Sequence, residues 1–313
     1  MDIVQNNVGW FVPTGVAHKV LPLWDAYTQR SKEAATRRHQ QTYADYAPWM
    51  AMEGLEDELA PLFEASNHTS SLNIDHGYLH VLANTVQKNS ACPLKYFRVE
   101  SEDMQIWADV PAEVIHHFED AKKLLFSSLP DIMAVFKGIV STIIPLKIAN
   151  HLEAPISGFG SHLCPGAIFL TTPVTSRPYW RAELAIDLAH ELAHQIIILY
   201  QRADSIVAGD LESPVFSGIL NKDRPSIMAV HGAAALCFMC IASLAIRENP
   251  EASEADKSFA ARELVSATGK LATTVSALRN DCQLTEVGSM IVNEIALVSD
   301  YCSSLCTSNR RPS

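Results

Sequence analysis

Apolar residues recur every three to four positions along much of this chain, with charged and polar residues between them. Such spacing places the apolar side chains on one face of a helix. It runs over residues 32–46, 52–65, 76–88, 112–129, 257–279 and 285–302. Residues 183–201 are rich in Ala, Leu and Ile and contain no Gly or Pro, which favours one more helix. The chain is therefore predicted to be mainly α, and its first 150 residues are expected to be helical.

One short segment has a different character. Residues 166–173, GAIFLTTP, are β-branched and aromatic and are bounded by Pro, which is typical of a strand. The Gly-rich residues 158–165 before it are predicted to form a turn, and residues 202–225 a loop. Thr285 is a suitable N-cap for the last helix. We therefore expect a helical protein with a small β element beside the helix at 183–201.

A second apolar segment, residues 226–246, has no formal charge and is long enough to span a bilayer. It is rich in Ala and contains His231, and the other helices are amphipathic, so it is interpreted as a buried core helix. The N-terminus has no basic start followed by an apolar stretch, so no signal peptide is expected. Cys237 and Cys240 lie in this segment and are expected to be buried free thiols in a reducing cytoplasm. The expectation is a cytoplasmic protein with no membrane partner.

The composition excludes a further class of partner. The 313 residues are 48% hydrophobic and 19% charged, which suits one large domain or two closely packed ones. The formal net charge is -11, and no basic block exceeds short pairs such as Arg37 and Arg38. Nucleic acid is therefore not an expected partner.

The sequence HELAH lies inside the predicted helix at 183–201 and carries the strongest chemical signal of the chain. His190 and His194 are four residues apart, so both imidazoles lie on one helix face and can bind the same ion. Glu191 lies beside that face, as in the H-E-x-x-H arrangement of metal-dependent enzymes. The alternative is a pair of core histidines. Burying two imidazoles and a carboxyl among apolar side chains without an ion or partner is costly, which favours a metal site.

A third metal ligand is expected from a later part of the chain. His231 in the apolar segment is the favoured candidate. The acidic residues of the preceding loop are the alternatives: Asp204, Asp210, Glu212 and Asp223. Three protein ligands with one open position are typical of a catalytic rather than a structural site.

The extended signatures of metallopeptidases are missing. No Gly-x-x-His follows His194, and no Glu follows in a convincing downstream helix. Instead the sequence continues with Asp-Arg-Pro at residues 223–225 and His-Gly at residues 231–232, followed by an Ala-rich helix. Over about residues 165–245 this combination resembles the bacterial HExxH motif-containing peptide-modification family. Members of that family are identified as iron- and 2-oxoglutarate-dependent peptide β-hydroxylases that tailor ribosomal peptides.

The resemblance implies that His190, His194 and His231 bind iron(II) and that Arg224 holds a carboxylate of 2-oxoglutarate. A guanidinium group binds carboxylates through paired hydrogen bonds, which agrees with that role. Arg224 can equally be a surface residue opposite Asp223, and Arg177 and Arg181 are rival anchors. Three histidines would be unusual, because this iron chemistry ordinarily uses two histidines and one carboxylate.

Three functions remain open at this point. The first is an iron(II)- and 2-oxoglutarate-dependent oxygenase that hydroxylates a peptide side chain, in which Glu191 orients a ligand or water. The second is a zinc peptidase, in which Glu191 is the general base and the strand at 166–173 pairs with an extended peptide. The third is a non-catalytic helical binding protein. In the enzyme hypotheses residues 1–150 form a helical region that can recognise substrate, and residues 151–313 form the metal-binding catalytic region. The substrate peptide and the oligomeric state stay open.

Overall fold

The computed structural model describes residues 11, 13–39, 76–88, 104–107, 109–148, 158–160, 162, 165–171 and 176–308. Most of these residues are helical. The helices, numbered within the described residues, are α1 Pro13–His39, α2 His76–Lys88, α3 Ala112–Ser128, α4 Pro130–Ile139, α5 Trp180–Ala203, α6 Ser226–Glu248, α7 Glu254–Asp281 and α8 Glu286–Ser308. The mainly α prediction is confirmed.

The strands form a small mixed sheet and a separate hairpin. They are β1 Met104–Ile106, β2 Thr142–Ile148, β3 Gly158–Gly160, β4 Ala167–Thr171, β5 Pro214–Ser217 and β6 Lys222–Pro225. The sheet has the order β1-β2-β4-β3, in which β2 and β4 are parallel and the two outer strands are antiparallel to their neighbours. The predicted strand at 166–173 is β4, and it is an inner strand.

Several sequence predictions about local structure are wrong. The apolar stretch after α4 forms strand β2 rather than helix, because TIIPLKI is β-branched and is buried on both faces. The predicted turn at 158–165 includes strand β3, and the predicted loop at 202–225 contains the β5–β6 hairpin. Helix α1 begins at Pro13, well before residue 32. The predicted helix at 52–65 lies outside the described residues.

The apolar segment at 226–246 forms helix α6, and its burial confirms the prediction of a core helix. Among the described residues it is the one helix long and apolar enough to cross a membrane, and 78% of its apolar window is buried. Cys237 and Cys240 are buried and free, as predicted. The core around α6 also includes residues of α3, α5, α7 and α8.

Helix α5 is fixed to the sheet by Gln195. Its Oε1 accepts a hydrogen bond of 2.8 Å from the N–H of Gly166, and its Nε2 donates one of 3.0 Å to the carbonyl of Ala167. The strand therefore lies beside the HELAH helix, as expected. Strands β1 and β2 precede residue 150 and β3 and β4 follow it, so the two predicted regions share one sheet.

Candidate metal centre

His190 and His194 lie one turn apart on α5, and both imidazoles are turned to the same point. Their Nε2 atoms are 3.1 Å apart. Two nitrogen ligands at about 2.1 Å from one ion are about 3.0 Å apart in octahedral geometry and about 3.4 Å apart in tetrahedral geometry. The observed separation fits a shared ion without movement of the helix.

Glu191 completes a compact group with these histidines. The ligand atoms of His190, Glu191 and His194 all lie within 4.8 Å of one another, and Glu191 Oε1 is 3.8 Å from His190 Nε2. The Glu191 side chain is only 1% exposed, and it faces the glycines of strand β3, where the Gly160 N–H donates to it. Its Oε2 is buried without a hydrogen-bond partner among the described residues. Oε1 is the oxygen on the His190 side, so a cation shared with the histidines would be held through Oε1, and bidentate binding would also satisfy Oε2.

The electrostatics of the group favour neutral ligands. Burial lowers the pKa of His190 to about 4, and burial together with the neighbouring histidines lowers the pKa of His194 well below its ordinary value. Both imidazoles are therefore neutral near pH 7 and each has a free nitrogen lone pair for a metal. Burial and the charge of Asp187 raise the pKa of Glu191, while the Gly160 N–H opposes them. A buried carboxyl of this kind must hold either a proton or a cation.

His231 is buried on α6 and touches His194, but not at the point that His190 faces. Its Nδ1 lies 3.1 Å from Nδ1 of His194, whereas Nε2 of His194 faces His190. The Nε2 of His231 lies 2.8 Å from Oε1 of Gln201. The three histidines thus form a row with His194 in the middle. The assignment of His231 as third ligand stays a prediction.

The alternative acidic ligands lie elsewhere. Asp204, Asp210, Glu212 and Asp223 are all exposed. Asp204 Oδ1 accepts the Ser205 N–H, and Asp210 Oδ1 accepts the Glu212 N–H. In the described part of the chain none of these acids belongs to the candidate ligand group.

Arg224 lies on strand β6, half-buried, and close to the histidines. Burial and the positive charge of Arg224 lower the pKa of His231 to about 4, and the same charge contributes to the lowered pKa of His194. The two rival arginines each form an ion pair. Arg177 pairs with Glu183 at 2.7 Å, and Arg181 pairs with Asp256 at 2.6 Å.

Sequence reasoning missed three residues beside the histidines. Gln201 is seven residues after His194 on α5, so it lies on the same face two turns later, and this spacing was a usable signal. Met239 of α6 has its Sδ 3.2 Å from Nδ1 of His190. Gly160 packs against His194 and Glu191, and an added Cβ would lie 3.4 Å from the Cβ of His194. Only the folded chain brings Met239 and Gly160 to the site.

The proposed role of strand β4 in binding an extended peptide is wrong. Strand β4 is paired with β2 on one side and with β3 on the other, so it offers no free edge for a peptide. The strand beside Glu191 is β3, which stands last in the sheet order.

Comparison with known proteins adds no family. No protein-family model matches the chain, and no curated protein sequence matches it significantly.

Proposed function

We propose that this protein is an iron(II)- and 2-oxoglutarate-dependent oxygenase that hydroxylates a peptide side chain. The observation that carries the proposal is the buried Glu191 carboxyl: its Oε1 lies 3.8 Å from Nε2 of neutral His190, and its Oε2 has no hydrogen-bond partner among the described residues. Two histidines and one carboxylate are the usual ligand set of non-haem iron(II) oxygenases. In this proposal His190, His194 and Glu191 hold the metal.

When bound, iron(II) and 2-oxoglutarate supply the oxidising chemistry, in which oxygen hydroxylates a carbon while 2-oxoglutarate becomes succinate and carbon dioxide. The chain provides the ligands and leaves them only partly exposed to water. His190 and His194 remain neutral through burial, and apolar residues of α5 and α6 surround them. A dry surrounding of this kind strengthens the attraction between the ligands and a cation.

Arg224 is proposed as the anchor for a carboxylate of 2-oxoglutarate. Its charge acts on both His194 and His231, so it lies near these two histidines, and a guanidinium is not itself a metal ligand. A half-buried guanidinium next to a metal suits a bidentate acid that also binds the ion.

A zinc peptidase is the second candidate, because Glu191 lies within reach of a water on an ion held by the two histidines. The resemblance of the Asp-Arg-Pro and His-Gly segments to the HExxH peptide-modification family favours the oxygenase over the peptidase. A cytoplasmic location and substrate recognition by residues 1–150 belong to the same proposal. The burial of α6 is consistent with a protein that does not span a membrane.

The deciding experiment titrates 2-oxoglutarate into the full chain, with and without Co(II) in place of iron, under calorimetry. Binding should require the metal and weaken about 10-fold or more in Arg224→Leu, because a carboxylate would lose its charged partner. Arg279→Leu changes an exposed arginine that contacts Asn293, and it should bind as the wild type does.

Turnover separates the candidates further. The oxygenase should release succinate when the iron(II) protein receives oxygen and 2-oxoglutarate. Cleavage of denatured casein by the zinc-loaded protein, with no succinate from the iron form, would replace the oxygenase with the peptidase. A chain that binds no divalent metal would favour the non-catalytic binding protein.

A further inference from the structure

We infer that His231 and Gln201 form a relay that orients His194 and that His231 does not bind the metal. The inference rests on the proposed metal site at His190 and His194, and it concerns the residues behind those ligands. Met239 plays the corresponding role for His190.

The argument follows the protons of the neutral imidazoles. Each neutral ring carries one N–H and one bare nitrogen. If Nε2 of His190 and Nε2 of His194 both bind an ion, each ring has its proton on Nδ1. His194 Nδ1–H then donates to Nδ1 of His231 across 3.1 Å. His231 accepts there with its bare nitrogen, so it cannot use that nitrogen for the metal.

The series of hydrogen bonds from His194 through His231 ends at Gln201. With Nδ1 bare, His231 carries its proton on Nε2 and donates it to Gln201 Oε1 across 2.8 Å. On the other ligand, His190 Nδ1–H donates to the thioether sulfur of Met239 across 3.2 Å. In the metal-bound form each N–H of the three rings then has an acceptor, and each bare ring nitrogen has either the metal or an N–H donor. Such outer partners fix the tautomer and the orientation of a metal-bound histidine.

Without an ion, one of these contacts lacks a hydrogen-bond donor. The Gln201 Oε1 contact again fixes the proton of His231 on Nε2 and that of His194 on Nδ1. His190 must then donate from Nε2 to bare Nε2 of His194, and its own bare Nδ1 faces the Met239 sulfur, which has no proton to offer. Metal binding removes this mismatch, so the row of contacts is arranged for the metal-bound form.

The first test counts the imidazole ligands of the Co(II)-loaded full chain by X-ray absorption spectroscopy. We expect two in the wild type and two in His231→Asn. Three in the wild type, falling to two in the variant, would overturn the inference and make His231 a ligand. Nitrogen NMR of the Zn(II)-loaded protein should show His231 as an unbound imidazole with its proton on Nε2.

The second test measures Co(II) affinity by competition with a chelator. His231→Asn keeps an oxygen that can accept from His194 Nδ1–H and should stay within about 3-fold of the wild type. His231→Leu and Gln201→Leu should weaken binding about 10- to 100-fold, the usual effect of losing an outer partner of a ligand. Gln201→Glu keeps the acceptor and should remain near the wild type. Equal losses in His231→Asn and His231→Leu would count against the relay.

The outcomes separate this inference from the proposed function. Co(II) bound through three imidazoles contradicts the relay and leaves an oxygenase possible. If Co(II) is bound through two imidazoles and 2-oxoglutarate does not bind, the relay is supported and the oxygenase is contradicted. A wild type that binds no Co(II) contradicts both.

Discussion

The Nε2 atoms of His190 and His194 lie 3.1 Å apart in a half-buried site, at a distance that suits one shared ion. Added Zn(II) should therefore stabilise the folded chain, since an ion that binds only the folded state adds about 2.7 kcal/mol at 100 times its dissociation constant. Thermal unfolding with Zn(II) and with a chelator measures the effect. His190→Ala and His194→Ala should each abolish the stabilisation.

His18 provides the matched control for this experiment. It is exposed on α1, so His18→Ala should keep the full response to Zn(II). A response that survives in both His190→Ala and His194→Ala would place the ion at another site.

Glu191→Gln distinguishes a metal ligand from a general base. The amide has the same size but binds cations poorly, so as a ligand change it should weaken Co(II) binding by about 10-fold or more. If Glu191 acts only as a base in a peptidase, metal content should stay constant while cleavage falls about 10²–10⁴-fold. Chelator competition and cleavage assays on the same preparation compare the two results.

The sequence predicted the parts of the fold that depend on local periodicity. Helix α2 spans His76–Lys88, as predicted from its apolar spacing, and Thr285 caps α8 by accepting the Gly288 N–H. Strand β2 was missed because a strand buried on both faces shows no alternation, and its apolar run resembles a buried helix. The hairpin β5–β6 was missed because its exposed residues look like a loop.

The candidate site divides in the same way. The helical period brings His190 and His194 together, and it also places Gln201 on their face. The contact between His194 and His231 joins residues 37 positions apart, so it depends on how α6 packs on α5. The tertiary structure alone shows which nitrogen each ring turns to its neighbour. It also shows that Glu191 faces Gly160.

Arg181 and Asp256 connect the start of α5 to the start of α7, and their ion pair should make stability depend on pH. Burial alone would raise the pKa of Asp256, but hydrogen bonds from Ser253 and Arg181 outweigh burial and hold that pKa below its ordinary value. The contribution is therefore complete above the unfolded pKa of about 3.9 and is lost as pH falls through the lower folded pKa. Asp256→Asn should cost about 1–3 kcal/mol at pH 7 and much less near pH 2.

Urea unfolding at the two pH values tests this dependence. Lys257→Gln removes an exposed pair with Glu254 and should change the free energy of unfolding by under about 0.5 kcal/mol at either pH. A penalty for Asp256→Asn that is the same at pH 7 and pH 2 would show that packing, not charge, is responsible.

Gln195 should contribute to stability through its two buried hydrogen bonds. Gln195→Leu leaves the buried N–H of Gly166 and the carbonyl of Ala167 without their partner, and each lost bond costs about 1–3 kcal/mol. Chemical denaturation should show a loss of about 2–5 kcal/mol in total. Gln29→Leu removes an exposed bond to Glu33 and should have little effect. Comparable losses in the two variants would argue against a stabilising role of the two Gln195 hydrogen bonds.

Gly160→Ala tests whether strand β3 shapes the metal site. The added Cβ would lie 2.9 Å from Gln195 Nε2, so that side chain must shift, and it would also touch His194 Cβ at 3.4 Å and Glu191 Oε2 at 3.6 Å. Because ligand positions matter within about 0.5 Å, Co(II) affinity should fall measurably in chelator competition.

Gly269→Ala is the matched control, since nothing lies within 4 Å of its added Cβ. That helical change should keep metal affinity and raise the free energy of unfolding by about 0.5–1 kcal/mol. Unchanged affinity in Gly160→Ala would mean that the ligands tolerate the approach of β3, and that Gly160 serves the fold rather than the metal site.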